Sequence, residues 1–228
     1  MIYILHLDTS TSVCSVTLSA DHEILFYKES NEIKSHASLL SIFINEALTK
    51  HSLKYSDLSA VAVSKGPGSY TGLRIGISTA KGICYARDIP LLAVPTLEIL
   101  TIGAYHVQNQ PDALYCPMMD ARRMEVYTCL FNSQLEIIQD TSAVILDEQF
   151  LKSLLSEKKI VFFGDGAIKA KNIIRNPNAI LIEGIYPSAR NMVDLALSKY
   201  KKHEIENTAY FEPYYLKDFV ATKPKKMI

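Results

Sequence analysis

Four stretches of this sequence hold side chains whose types and spacing could do chemistry. The first, Lys65-Gly66-Pro67-Gly68-Ser69-Tyr70-Thr71-Gly72-Leu73-Arg74-Ile75-Gly76, joins an apolar strand to a rigid turn and a glycine-bearing helix. Free backbone N–H groups in such a turn can cradle phosphate. Two nucleotide motifs nevertheless fail on it. A G-x-G-x-x-G begun at Gly66 reaches Thr71 where a glycine belongs, and a P-loop begun at Gly68 reaches Leu73 and Arg74 in place of glycine and lysine. The second stretch, Asp8-Thr9-Ser10-Thr11-Ser12, is a hydroxyl-rich turn after an apolar strand, in which Asp8 reads as a cap or turn residue. The third, Asp120-Ala121-Arg122-Arg123-Met124, stands in the same relation to a second strand and offers two arginines to an anion. The fourth is the glycine turn Gly164-Asp165-Gly166.

Other reactive side chains form no constellation. His36 has Ser35 and Ser38 nearby, but residues one and two apart on a helix do not face each other. His6, His22, His51, His106 and His203 show no ligand spacing. Cys14, Cys84, Cys116 and Cys129 are isolated and sit mostly in apolar runs, as buried thiols do, which suits a reducing compartment.

The elements that must position these groups alternate. Ile2 to Leu7, Val13 to Leu18 and Glu23 to Glu29 read as a three-strand meander. Ser35 opens a helix carrying Leu39, Leu40, Phe43, Ile44 and Ala47 at helical spacing. A strand at Val61, the glycine helix from Ser69 or Thr71 to about Arg87, a strand at Leu91-Leu92-Ala93 and a helix from Thr96 follow. The pattern then restarts with strands Leu114 to Met119, Met124 to Phe131 and Leu135 to Gln139. A helix near Asp147 to Leu155, a strand Ile160 to Phe163 and a helix from about Ser188 to Lys201 complete it. Asp8 and Asp120 each end an apolar strand, and each is followed ten residues on by a leucine, Leu18 or Leu130. This echo predicts a duplication: an N-terminal lobe over residues 1–108 and a C-terminal lobe with a tail over 109–228. Each lobe would be α/β with a twisted mixed sheet and flanking helices, the duplicated two-lobe arrangement of actin and hexokinase, the ASKHA fold.

Gly72, Gly76, Ala80 and Cys84 recur every four residues and line one helix face with small side chains. Interior glycines cost roughly 0.8–1 kcal/mol each relative to alanine, so close packing must compensate. Two partners satisfy that need, the chain's own sheet or a helix of another subunit.

Composition excludes several classes. The 228 residues, 48% hydrophobic, can bury one large core or two small ones. The 24 basic and 24 acidic residues cancel, so nucleic acid would have to meet a local patch or a partner. Lys223-Pro224-Lys225-Lys226 is the one basic cluster and reads as a solvated tail. The sequence starts directly on a strand, and no apolar run nears the ~20 residues of a membrane span. A cytoplasmic protein is expected.

Taken together, Leu7-Asp8-Thr9-Ser10, the run from Gly66 to Gly76, Asp120-Ala121-Arg122-Arg123-Met124-Glu125-Val126-Tyr127, Pro187-Ser188-Ala189 and Pro213-Tyr214-Tyr215-Leu216 resemble the bacterial TsaB (YeaZ) family over nearly the whole chain. Members of that family help make threonylcarbamoyladenosine next to the anticodon of tRNA, and they share ancestry with the catalytic subunit TsaD. The resemblance places Thr96 and Leu100 where the catalytic relative would carry metal-ligating histidines, so no metal and no catalytic residue is expected. It implies a noncatalytic scaffold that activates a TsaD-like partner, works with a TsaE-like ATPase, meets tRNA through the complex and pairs with itself in isolation. Docking would use the first-lobe helices, with Leu39, Leu40, Phe43, Gly72, Gly76, Ile77, Ala80 and Ile83 at the interface. Asp8, Thr9, Ser10, Gly164 and Gly166 would be vestiges of a nucleotide site, with no cofactor bound by the chain alone and ATP or ADP only at the partner interface. The rival readings are an active ATP-dependent phosphotransferase of this fold and a metal-dependent peptidase.

Overall fold

The computed structural model describes residues 1–31, 36–155, 158–171, 173–174 and 176–217. Ser35, expected to open the first helix, and the basic cluster Lys223 to Lys226 lie outside the described residues.

Two five-stranded sheets repeat one plan. In the first, β1 (Tyr3–Asp8), β2 (Cys14–Ala20) and β3 (Glu23–Ser30) form an antiparallel meander, and β4 (Ala60–Gly66) and β5 (Leu91–Pro95) add in parallel beside β1, giving the order β3-β2-β1-β4-β5. In the second, β6 (Ala113–Asp120), β7 (Glu125–Phe131) and β8 (Ile137–Ile145) form the meander, with β9 (Lys159–Phe163) and β10 (Ala179–Ile182) parallel beside β6. The strands ending at Asp8 and Asp120 are thus the central strands of their sheets. The strands beside them, β4 and β9, run out into glycines with positive φ, Gly66 at 112° and Gly164 at 97°, a conformation costly for any other residue. This is the duplicated two-lobe plan expected from the sequence.

Helices α1 (His36–Lys50) and α2 (Tyr70–Arg87) lie on one face of the first sheet. The expected apolar stripe of α1 is what it buries, Leu40, Phe43, Ile44 and Ala47, together with Leu73, Ile77 and Ala80 of α2 and Leu5, Leu7, Val61 and Val63 of the sheet. Ser69 caps α2, its Oγ accepting from the Gly72 N–H at 3.3 Å, and Asp88 ends it in the left-handed conformation.

The small-residue face of α2 turns inward. A methyl at Gly72 would strike the Thr9 carbonyl, and one at Gly76 would strike the Thr9 hydroxyl. Thr9 Oγ1 donates to the Gly72 carbonyl at 2.7 Å. The expected interface is corrected here: Leu40, Phe43, Gly72, Gly76, Ile77 and Ala80 are buried in the chain's own core, and Leu39 and Ile83 are half-buried against it. The short residues let α2 approach the turn after β1, which accounts for them without another subunit.

The lobe boundary also needs correction. Residue 108 divides the two sheets, but the chain returns after β10. A 3-10 turn, Ala189–Met192, and α6 (Val193–Lys201) cover the other face of the first sheet, where Ala189, Met192, Ala196 and Leu197 pack on Ile4, Ala60, Ala62, Leu92 and Val94. Residues 207–217 then run along α2. Lys81 Nζ donates to the Ala209 and Phe211 carbonyls, and the Tyr214 N–H donates to the Lys65 carbonyl at 2.7 Å. Helix α3 (Thr96–Val107) bridges the halves, burying Ile99 toward the first sheet and Leu97, Leu100 and Ala104 toward the second.

Remaining differences from the sequence reading are local. β8 runs to Ile145 although Gln139 to Ser142 are polar, because it is an edge strand with little covering it. β10, only four residues long, and the single-turn α5 (Ala167–Ala170) give too short a pattern to read. α4 (Glu148–Leu154) starts at its Asp147 cap. Among the described residues no helix is long and apolar enough to cross a membrane, and all four cysteines are buried free thiols.

Gly72 and Gly82 should respond oppositely to the same change. Gly72→Ala should destabilise the protein by about 1–3 kcal/mol through overpacking. Gly82→Ala, at a site with nothing within 4 Å, should stabilise it by about 0.4–1 kcal/mol. Urea denaturation of both variants reads the contrast.

Candidate functional site: the cleft between the lobes

The ends of β1, β4 and β6 converge on a cleft of about 1190 Å³. One wall is the first turn, Ser10 to Ser12, with Pro67 to Gly72 at the start of α2. The other is the second turn, Asp120 to Arg123, with Glu125 and Tyr127. Tyr214 to Lys217 of the C-terminal segment line it as well.

The first wall is stapled from beneath. Asp8 is fully buried, and its Oδ1 accepts from the Ser10 N–H at 3.0 Å and the Ser10 hydroxyl at 2.9 Å. The Ser69 N–H donates to the Ser10 carbonyl at 2.7 Å, tying the turn to the cap of α2. Under the Gly66-Pro67-Gly68 turn, the Ser64 and Thr96 hydroxyls hydrogen-bond at 2.7 Å, and Thr96 Oγ1 accepts from the Gly66 N–H. His36 Nε2 donates to the Thr11 carbonyl at 2.7 Å. Burial pushes the Asp8 carboxyl up to about 6, and its Oδ2 has no partner. Two residues earlier on the same strand, burial lowers His6 to about 3, with Nε2 held 2.8 Å from the Ser19 hydroxyl.

The second wall is braced by acids. Asp165 Oδ1 accepts from the Asp120 N–H at 2.9 Å, Asp120 Oδ1 accepts from the Arg122 N–H and pairs with Lys169 at 2.8 Å, and Glu125 pairs with Lys217. Arg122 and Arg123 turn the corner at φ 67° and 49°.

Of the residues expected at a vestigial nucleotide site, Asp8, Thr9 and Ser10 are all buried, and Ser10 alone of the three borders the cleft. Gly164 and Gly166 do not line it; they press against the backbone of Met118 and Met119. Thr96 and Leu100 are both fully buried, Thr96 in the hydroxyl network and Leu100 against Gly164. Among the described residues no three histidine, cysteine or acidic side chains are placed to hold a metal. Sequence reasoning missed the tail as a wall of the cleft. It also missed the solvent side of α1 and α2, where Ile42, Gly82 and Tyr85 are exposed. The signal was present for Gly82: six residues past Gly76, it lies about 240° around the helix and cannot share its face.

Fold and cleft define a duplicated actin/hexokinase-type protein whose cleft is walled by glycine-dependent packing on one side and by a turn of two arginines on the other. The model of the TsaD family, tRNA N6-adenosine threonylcarbamoyltransferase, matches residues 28–225. The chain is 32% identical over 178 residues to the tRNA threonylcarbamoyladenosine biosynthesis protein TsaB of Bacillus subtilis (strain 168), covering 76% of this chain and 75% of that one. It is 28% identical to the TsaB of Escherichia coli (strain K12), covering 96% of each. The solved structure of YeaZ from Pseudomonas aeruginosa superposes with a TM-score of 0.81 at 26% identity, covering 95% of this chain and all of that one. The chain belongs to the TsaB (YeaZ) family.

The buried pair on β1 gives a pH signature. Asp8, raised from 3.8 to about 6, contributes stability that is full below pH 3.8 and lost as pH rises through 6. His6, lowered from 6.5 to about 3, contributes stability that is full above pH 6.5 and lost as pH falls toward 3. The two oppose each other between about pH 4 and 6. Asp8→Asn should therefore make stability rise more steeply with pH over that window than in the wild type, by on the order of 3 kcal/mol in total. Urea midpoints at both ends of the window would show it, and parallel profiles for the two proteins would contradict it.

Proposed function

We propose that this chain is the noncatalytic activating subunit for threonylcarbamoylation of the adenosine next to the anticodon of tRNA, in the cytoplasm. In this reading it docks a TsaD-like catalytic subunit through the solvent side of α1 and α2. Membership of the TsaB family supports the pathway. The absence of histidine at Thr96 and Leu100 supports the noncatalytic role.

One observation carries the docking surface. Gly82 stands exposed inside an 18-residue helix with open space around it, so the fold itself gives no reason for its cost of about 1 kcal/mol. Neighbouring exposed positions, Ser41, Ile42 and Asn45 on α1 and Ser78 and Tyr85 on α2, are uncharged. The charges these helices carry are either engaged or lie in the last turns. Glu46 pairs with Lys28 at 2.6 Å, Arg74 donates to the Tyr215 hydroxyl, Lys81 holds the tail, and Lys50 and Arg87 end their helices. Two helices side by side present this surface to an equivalent pair, and a stable contact of that kind buries about 1,200–2,000 Å². The same surface is self-complementary, so the isolated chain forms a homodimer. ATP or ADP, where present, belongs to the partner interface, a TsaE-like ATPase acts on the complex, and tRNA is modified on it.

Reconstitution with a matching TsaD, TsaE, tRNA and threonylcarbamoyl-adenylate should give modified adenosine only when this chain is present; equal modification without it would remove the activator role. Gly82→Arg should abolish co-elution with TsaD on gel filtration while leaving the thermal midpoint at or above the wild-type value. Retained co-elution would move the docking surface elsewhere.

A further inference from the structure

The cleft carries a charge pattern that docking through α1 and α2 does not use. Its acids are engaged: Asp120 with Lys169, Glu125 with Lys217, and Asp165 with the Asp120 N–H. Among the described residues neither Arg122 nor Arg123 has a carboxylate partner, and both line the cleft. Both guanidinium groups therefore stand without an ion-pair partner beside the cleft, where Asp165 is the one carboxylate of the lining held by a backbone N–H alone. The two arginines are held in a left-handed turn that asparagine and glycine would make without strain.

The facing wall is the N-terminus of the 18-residue α2, which favours negative charge. Tyr127 and Tyr215 also line the cleft and offer aromatic surface; Tyr70 is already engaged, its ring tilted against Tyr215 at 5.1 Å and covered by the Arg74 guanidinium at 4.1 Å. Gly164 and Gly166 press against the backbone of Met118 and Met119, and the Asp120 N–H donates to Asp165 Oδ1. The open volume, about 1190 Å³, exceeds the roughly 300–1,000 Å³ of ordinary small-molecule sites.

We propose that the cleft mouth, between the Arg122–Arg123 turn and the start of α2, binds a single-stranded RNA segment through its phosphodiester backbone, with bases stacked on the tyrosines. The choice of RNA over a free nucleotide rests partly on the tRNA-modifying role proposed above. The phosphate chemistry is common to both, and the test separates them.

The probe is a fluorescein-labelled uridine oligomer of about eight nucleotides, titrated with the full chain alone at low salt and read by anisotropy. Arg122→Asn/Arg123→Gly should weaken binding about tenfold or more and lower the salt slope by about 1.4, two single-strand phosphate contacts. Its thermal midpoint should stay equal or rise by a few °C as the turn relaxes. Lys201→Gln/Lys202→Gln removes the same charge from exposed positions outside the cleft and should change binding less than about twofold. No binding, equal loss in both double variants, or displacement of the oligomer by ADP at matched phosphate concentration would each overturn the proposal. Because no partner subunit is present, a failed reconstitution with TsaD leaves this result intact, and the reverse also holds.

Discussion

The contact between Thr9 and the glycines of α2 is the constraint on which the rest of this structure depends. Thr9 presents its carbonyl to Gly72 and its hydroxyl to Gly76, at distances no side chain on the helix would permit. That approach seals Asp8 beneath the turn. It also sets Ser69 against Ser10, and so places the start of α2 on one wall of the cleft. It decides which way the helix faces: with its small residues spent on the turn, α2 shows its opposite side, with Gly82, to solvent.

The two lobes share a topology and have diverged in what they do with it. After β4 the glycine turn leads into eighteen residues of helix, and after β9 the equivalent turn leads into four. The first meander turn is rich in hydroxyls and held to α2; the second carries two arginines and is braced by Asp165, Asp120 and Lys169. Strand order is therefore common to both halves, as is the aspartate at the end of each central strand that accepts from the N–H two residues on, while the side chains around it differ.

Much of the fold was legible because its signals are local. The meander turns, the apolar stripe of α1, the Ser69 cap and the repeat relating Asp8 to Asp120 all lie within short spans of sequence. The direction of the small-residue face was not legible, since periodicity shows that a helix has such a face without showing what covers it. For the same reason Leu40, Phe43, Gly76 and Ala80 looked like interface residues and are core. The tail's place on the cleft was equally hidden. It rests on contacts such as Tyr214 with Lys65, and Lys217 with Glu125, between residues far apart in the chain. Asp165, in the middle of the glycine turn, holds the neighbouring strand end by accepting from the Asp120 N–H, a contact that spacing does not reveal.

The return of the chain to its first sheet has a consequence for how the protein is made. Ile4, Ala62, Leu92 and Val94 emerge from the ribosome early, and the residues that cover them, Ala189 to Leu197, emerge roughly a hundred residues later. At about 5–20 residues per second the uncovered face persists for roughly 5–20 s. During that interval the other face of the nascent N-terminal sheet is covered by Ile99 of α3 alone, so translation of the second lobe sets the time at which the first can close.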